Sequence, residues 1–150
     1  MIKQTVALVA CIFLPSFAAL AVADDKAALT QKVLKQLEGE WEIISVVSDG
    51  VKRPAPVPRK ERVVIRDGKW RAMAGDKILA KGEYTIDPTK KPMTMDVSSD
   101  NGPTVLTIFE VGKNAYRVCM EVPGSGADRP TKFASEKGSG HALVTYKRIK

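Results

Sequence analysis

The sequence predicts an all-β domain: an eight-stranded antiparallel up-and-down β-barrel preceded by a short N-terminal α-helix. Three observations lead there. After Trp41 the chain breaks into short segments, several of which alternate apolar and polar residues with a period of two. Tight-turn chemistry separates the segments, so consecutive strands pair as hairpins. An antiparallel meander of eight strands removes its exposed edges by closing on itself. The bulk numbers agree. At 150 residues, 44% hydrophobic, 27% charged and +7 net, this is one ordinary domain. Wholesale disorder, a disulfide-dense scaffold and a multi-histidine metal site are excluded, the last two by two cysteines and one histidine.

Residues 1–23 read as a signal peptide. Lys3 is their only charge, an apolar stretch runs from Val6 to Leu20, and Ala21-Val22-Ala23 precedes Asp24-Asp25. The apolar part is shorter than the ~20 residues of a membrane span, and no later stretch is apolar enough to stop transfer. The expected location is periplasmic or secreted. The alternative is lipid anchoring at Cys11, which ends Leu8-Val9-Ala10-Cys11. The mature domain is then 24–150, and Cys119 is left alone as a small apolar residue whose face the pattern does not assign.

Each element has its own signal. Residues 25–38 form the helix, with Leu29, Val33 and Leu37 spaced by four beside Leu34, Asp24 or Asp25 as cap and Gly39 as stop. The strands are 41–47, 62–66, 69–74, 77–86, 93–98, 104–111, 116–122 and 141–149. Pro54, Pro56 and Pro58 make 51–60 an extended connection outside the ladder. Asp67-Gly68 is a two-residue hairpin, and Asp87 to Pro92 is a turn. The fourth strand sets Ile78, Ala80, Gly82, Tyr84 and Ile86 against Lys77, Lys81, Glu83 and Thr85. The sixth is apolar on both faces, Leu106 and Ile108 against Val105 and Phe109.

Two resemblances follow. Gly39-Glu40-Trp41 after a helix, with Arg148 near the end of the last strand, resembles the lipocalin-like (calycin) barrels. That resemblance implies Arg148 stacked on Trp41 at the barrel base. Nearly all of 34–149 also resembles, more closely, a paralogous family of small secreted domains from planctomycete bacteria. The residues that carry it are Leu37 to Trp41, Gly82-Glu83-Tyr84 with Asp87 to Pro92, and Ile108 to Val111. Tyr116 to Cys119, Pro123-Gly124, Arg129 to Phe133 and Lys137 to Gly140 continue it. Phe109 stands where that family often has tyrosine. The resemblance implies a fold and a compartment and carries no catalytic residue.

No catalytic, metal or cofactor constellation is visible. His141 is the only imidazole, and Gly138-Ser139-Gly140-His141 is a glycine-rich turn rather than a nucleophile elbow. Ser99-Asp100-Asn101-Gly102 lacks calcium-loop spacing, and no P-loop or dinucleotide fingerprint occurs. The expectation is a non-enzymatic binding module for a small apolar or amphipathic ligand. Its candidate interior residues are Ile65, Ile78, Ala80, Tyr84, Met93, Met95, Val118 and Met120, with Val63, Gly82 and Val97 sharing the inward face; the methionines adapt to irregular ligands.

The alternative is docking on an anionic envelope polymer or surface through residues 51–71. Lys52, Arg53, Arg59, Lys60, Arg62, Arg66, Lys69 and Arg71 there face only Glu61 and Asp67, so the segment holds the whole net charge of 24–150. Export argues against nucleic acid as that partner. Trp70, among these charges, is read as an inward core residue.

Overall fold

The computed structural model describes residues 18–54 and 61–149. Most of the expected leader, Cys11, Arg59 and Lys60 lie outside them. The elements are α1 (Ala18–Leu37), β1 (Gly39–Ser48), β2 (Val51–Pro54), β3 (Glu61–Arg66), β4 (Lys69–Ala74), β5 (Lys77–Asp87), β6 (Met93–Ser99), β7 (Val105–Val111), β8 (Ala115–Glu121) and β9 (His141–Arg148). The eight expected strands are present within two residues of their expected bounds, and β2 is a ninth.

Strands β1 and β3 to β9 pair antiparallel in order, and β9 returns to β1, which closes an eight-stranded barrel. The closing register runs from Trp41 opposite Arg148 to Ser48 opposite Ala142. One end, here the base, gathers the start of β1 and the end of β9. The other end, the mouth, gathers the β4–β5 and β6–β7 turns.

Two expectations need correction. The connection 51–60 is not wholly outside the ladder, because β2 pairs with Ser45–Ser48 of β1. Asp49 and Gly50, at φ 53° and 75°, form a two-residue turn of the left-handed kind that matches strand twist. Pro54 ends the strand, where a missing N–H costs nothing. The helix starts at Ala18 rather than residue 25. Ala18 to Ala23 contain no glycine or proline, so nothing halts a helix there and Asp24 and Asp25 lie inside it rather than capping it.

The base is a packed core. Val33 and Leu37 of α1 bury against Trp41, Phe109 and Tyr116, while Leu29 stays 39% exposed. The Trp41 indole Nε1–H donates to the Leu37 carbonyl at 2.7 Å. Arg148 lies 4.0 Å over the Trp41 ring and donates to the carbonyls of Gln36, Glu38 and Lys113 at 2.5, 2.7 and 2.8 Å. Its guanidinium thus occupies the helix C-terminus, where carbonyls lack partners and positive charge is favoured.

The connection from β8 to β9 packs over the outer wall. Arg117 stacks on Phe133 at 4.4 Å, and the Cys119 thiol donates to the Ala134 carbonyl at 3.3 Å. Arg129 donates to the Met95 and Thr107 carbonyls and pairs with Asp96 at 2.6 Å. Ile108 and Cys119, opposite each other in the ladder, are buried beneath this cover. Burial raises the Cys119 thiol pKa, which suits the small apolar role.

Candidate ligand-binding cavity

Above the packed base the barrel is hollow. A cavity of about 390 Å³ is lined by inward residues of β1 and β3 to β9, and none of the lining residues is Lys, Arg, Asp, Glu or His. Its volume lies near the lower end for small-molecule sites. Ala80 and Pro103, both exposed, stand at the mouth end, while Tyr116 and Tyr146 border the packed base.

The interior candidates divide. Ile65, Ala80, Tyr84, Met95, Val118 and Met120 line the cavity, together with Val63 and Val97. Ile78 does not. The β4–β5 register shifts between Ala72 and Met73, so Ala72 faces Ala80 but Met73 faces Ile78. Leu79 is the extra residue of a bulge. Directly opposed residues share a face, so Ile78 joins Met73 on the outer wall and is 47% exposed. Met93 is a second correction. It faces Phe109 in the ladder and packs into the core at the closed end, outside the cavity.

Gly82 shapes the wall in another way. A Cβ there would lie 1.9 Å from the Ser98 carbonyl oxygen. Trp70, directly opposite Gly82, sends its indole N–H to that same oxygen at 3.0 Å. The missing side chain therefore lets β6 approach, and Trp70 covers the gap from inside. Trp70, like Ile43, Ala72, Val105 and Thr107, lines the cavity without having been marked as a ligand candidate. Inward alternation on every strand was the available signal, since Trp70 and Ala72 precede Ala74 on one face of β4.

Three phenols, the only tyrosines of the chain, line the cavity. Tyr116 stacks on Tyr146 with ring centroids 5.0 Å apart and packs against Trp41 at 5.6 Å. Its hydroxyl donates to the Met95 sulfur at 3.7 Å. Tyr84 is 8% exposed, and its hydroxyl is buried with no hydrogen-bond partner among the described residues. Burial, then the charges of Glu38 and Asp67, push the Tyr84 pKa up to about 12. Burial does the same for Tyr146, also to about 12, and raises Tyr116 well above the usual range. All three are neutral at physiological pH.

The basic candidates lie on the outside. Lys52 and Arg53 are exposed on β2, Arg66 and Arg71 on the outer wall of β3 and β4, and Arg62 pairs with Glu40 at 3.5 Å. His141 Nε2 lies 2.9 Å from the Asp128 carbonyl oxygen, and the Ser139 hydroxyl oxygen accepts from the His141 backbone N–H. Among the described residues no three His, Cys, Asp or Glu side chains gather as a metal site, and no helix is long and apolar enough to cross a membrane. Comparison with protein-family models, with curated proteins and with solved structures returns no match.

Proposed function

We propose that this protein is an exported, non-enzymatic binding module that holds a small apolar or amphipathic molecule inside its barrel. The observation that carries the reading is the 390 Å³ cavity with no charged residue in its lining. Empty apolar space of that size forfeits dispersion contacts on every wall, and a ligand restores them. Export rests on the leader-like residues 1–23 and on the resemblance to small secreted planctomycete domains. The test is native mass spectrometry of the protein purified without detergent from the cells that make it. A reproducible added mass that disappears on denaturation is the expected result. A bare mass, together with no uptake of an apolar fluorescent reporter, refutes the reading.

A second proposal, docking on an anionic envelope component, rests on the outer wall. Arg71 stands directly opposite Lys81, and Arg66 opposite Lys69. Lys81 pairs with Asp100 at 3.4 Å and Lys69 with Glu83 at 3.6 Å, whereas Arg66 and Arg71 make no ion pair among the described residues and are the cations left to meet an anion. Salt-dependent retention on an anionic matrix, lost in an Arg66→Glu, Arg71→Glu variant, is expected; retention indifferent to both salt and variant refutes it.

A further inference from the structure

We infer that the barrel docks on an anionic lipid surface at one corner of its mouth, through the exposed Ile78 and Leu79 of β5 and the cations behind them. The inference rests on the anionic-docking reading above and goes further: it names a bilayer as the partner and sets the contact beside the cavity entrance.

The corner is apolar because of the bulge. Alternation would have turned Ile78 inward; the register shift turns it outward, opposite Met73, and adds Leu79 beside it. The two stand 47% and 48% exposed. Single exposed apolar residues are ordinary, but a contiguous apolar surface marks a contact site. Here the surface continues into the cavity, since Ala80, the next residue, is exposed and lines it, as does Pro103. Val51 and Val122 are exposed at the same end of the barrel.

The wall behind the corner is cationic. Where β3, β4 and β5 pair, the outer face carries Arg62, Arg66, Lys69, Arg71 and Lys81 against one acid, Glu83. Asp76 and Lys77 at the turn cancel. Arg62, Lys69 and Lys81 have carboxylate partners, and Arg66 and Arg71 have none among the described residues.

The spacing fits a bilayer. Arg71 follows Met73 on the outer face, one pleat or about 7 Å toward the base. The headgroup layer on each side of a bilayer is of that order, about 6 Å. With Ile78 and Leu79 at the hydrocarbon edge, Arg71 reaches the phosphates. Arg66 lies about 14 Å back, beyond a Debye length of about 8 Å unless the barrel tilts onto this wall. A soluble polyanion would satisfy the arginines and leave the two aliphatic side chains in water. A second copy packed about a two-fold axis would set Arg71 against cations of the same wall. A lipid-borne ligand reaches the cavity from this corner past Ala80 without crossing water.

The experiment uses the protein purified from the cells that make it, floated with phosphatidylcholine vesicles with and without phosphatidylglycerol, beside a dextran sulfate column. Binding is expected to the anionic vesicles at least tenfold tighter than to the neutral ones, and to weaken with salt. The Ile78→Ser, Leu79→Ser variant is expected to lose at least tenfold on anionic vesicles with unchanged retention on dextran sulfate. Arg71→Gln is expected to cost about fivefold on anionic vesicles. Equal binding to both kinds of vesicle overturns the inference, as does an Ile78→Ser, Leu79→Ser variant that binds anionic vesicles as well as the original. Retention on dextran sulfate with no vesicle binding overturns it and leaves the anionic-docking reading standing; failure on both removes the two together.

Discussion

Gly82→Ala tests the close approach of β5 and β6 most directly. The added Cβ would stand 1.9 Å from the Ser98 carbonyl oxygen and 2.8 Å from Ser98 C and Ser99 Cα, all backbone atoms, where real Cβ atoms keep 3.0 Å or more. The two strands must part by more than an ångström. A ladder bond near 2.9 Å stretched that far is lost. The two ladder bonds at risk are those of the Glu83–Ser98 pair, next in the alternation after Lys81, whose carbonyl accepts from the Asp100 N–H, and the Trp70–Ser98 bond at 3.0 Å goes with them. Three bonds at about 1 kcal/mol each, with overpacking of at least about 1 kcal/mol, give a loss of about 4 kcal/mol. For a domain of this size that is roughly a 15 °C drop in melting temperature. Gly112→Ala is the matched control. Its Cβ would meet only the Ala115 carbonyl oxygen, at an ordinary 3.8 Å, so reduced freedom of the unfolded chain leaves it neutral or up to about 1 kcal/mol more stable. Urea unfolding and calorimetry of both variants measure the contrast. Gly82→Ala melting within a few degrees of the original would refute the reasoning.

Arg148→Ala removes three bonds to carbonyls at the base and the stacking on Trp41, and should cost about 2–3 kcal/mol in urea unfolding. Arg148→Lys should recover less than half, because a lysine cannot span three acceptors; full recovery would contradict the fork geometry. The tyrosines set an alkaline limit. Tyr84 and Tyr146, held at about 12 when folded and near 10 when unfolded, keep their full contribution below pH 10. Above it the unfolded chain releases protons that the folded chain retains, so stability falls by about 1.4 kcal/mol per pH unit for each group until about pH 12. Tyrosinate absorbance should therefore appear together with global unfolding, and a gradual titration near pH 10 in the folded state would disprove the burial. Ala72→Leu, which fills the cavity from β4, should abolish reporter binding and leave melting equal or higher; undiminished binding would place the reporter elsewhere.

Much of the barrel was legible locally. The period of two on β5 and β8, the Asp67-Gly68 turn and the helix before Gly39-Glu40-Trp41 each announce an element whose partner is its sequence neighbour. The missed strand β2 had a signal as well. Asp49-Gly50 is the same turn pair as Asp67-Gly68, but the prolines that follow mask a four-residue strand. Of the candidate site, Ile65, Ala80, Tyr84, Met95, Val118 and Met120 were readable because alternation assigns a face wherever register is uniform.

Alternation fails where register changes. Nothing in Lys77-Ile78-Leu79-Ala80 says that one residue is extra, because a bulge is a mismatch between two strands rather than a property of one. That mismatch turned Ile78 outward. Burial of Ile108 and Cys119 likewise depends on the connection from β8 to β9 folding over the outer wall, a contact between distant segments. By itself the sequence determined eight of the nine strands, their order, most of the inward set and a wall without charge, since these follow from local pattern. Only the tertiary structure decided that the base is packed while the mouth end is hollow, and that Tyr84 is left without a partner. Those outcomes depend on how side-chain volumes from eight strands sum around a closed cylinder, and no single segment carries that sum.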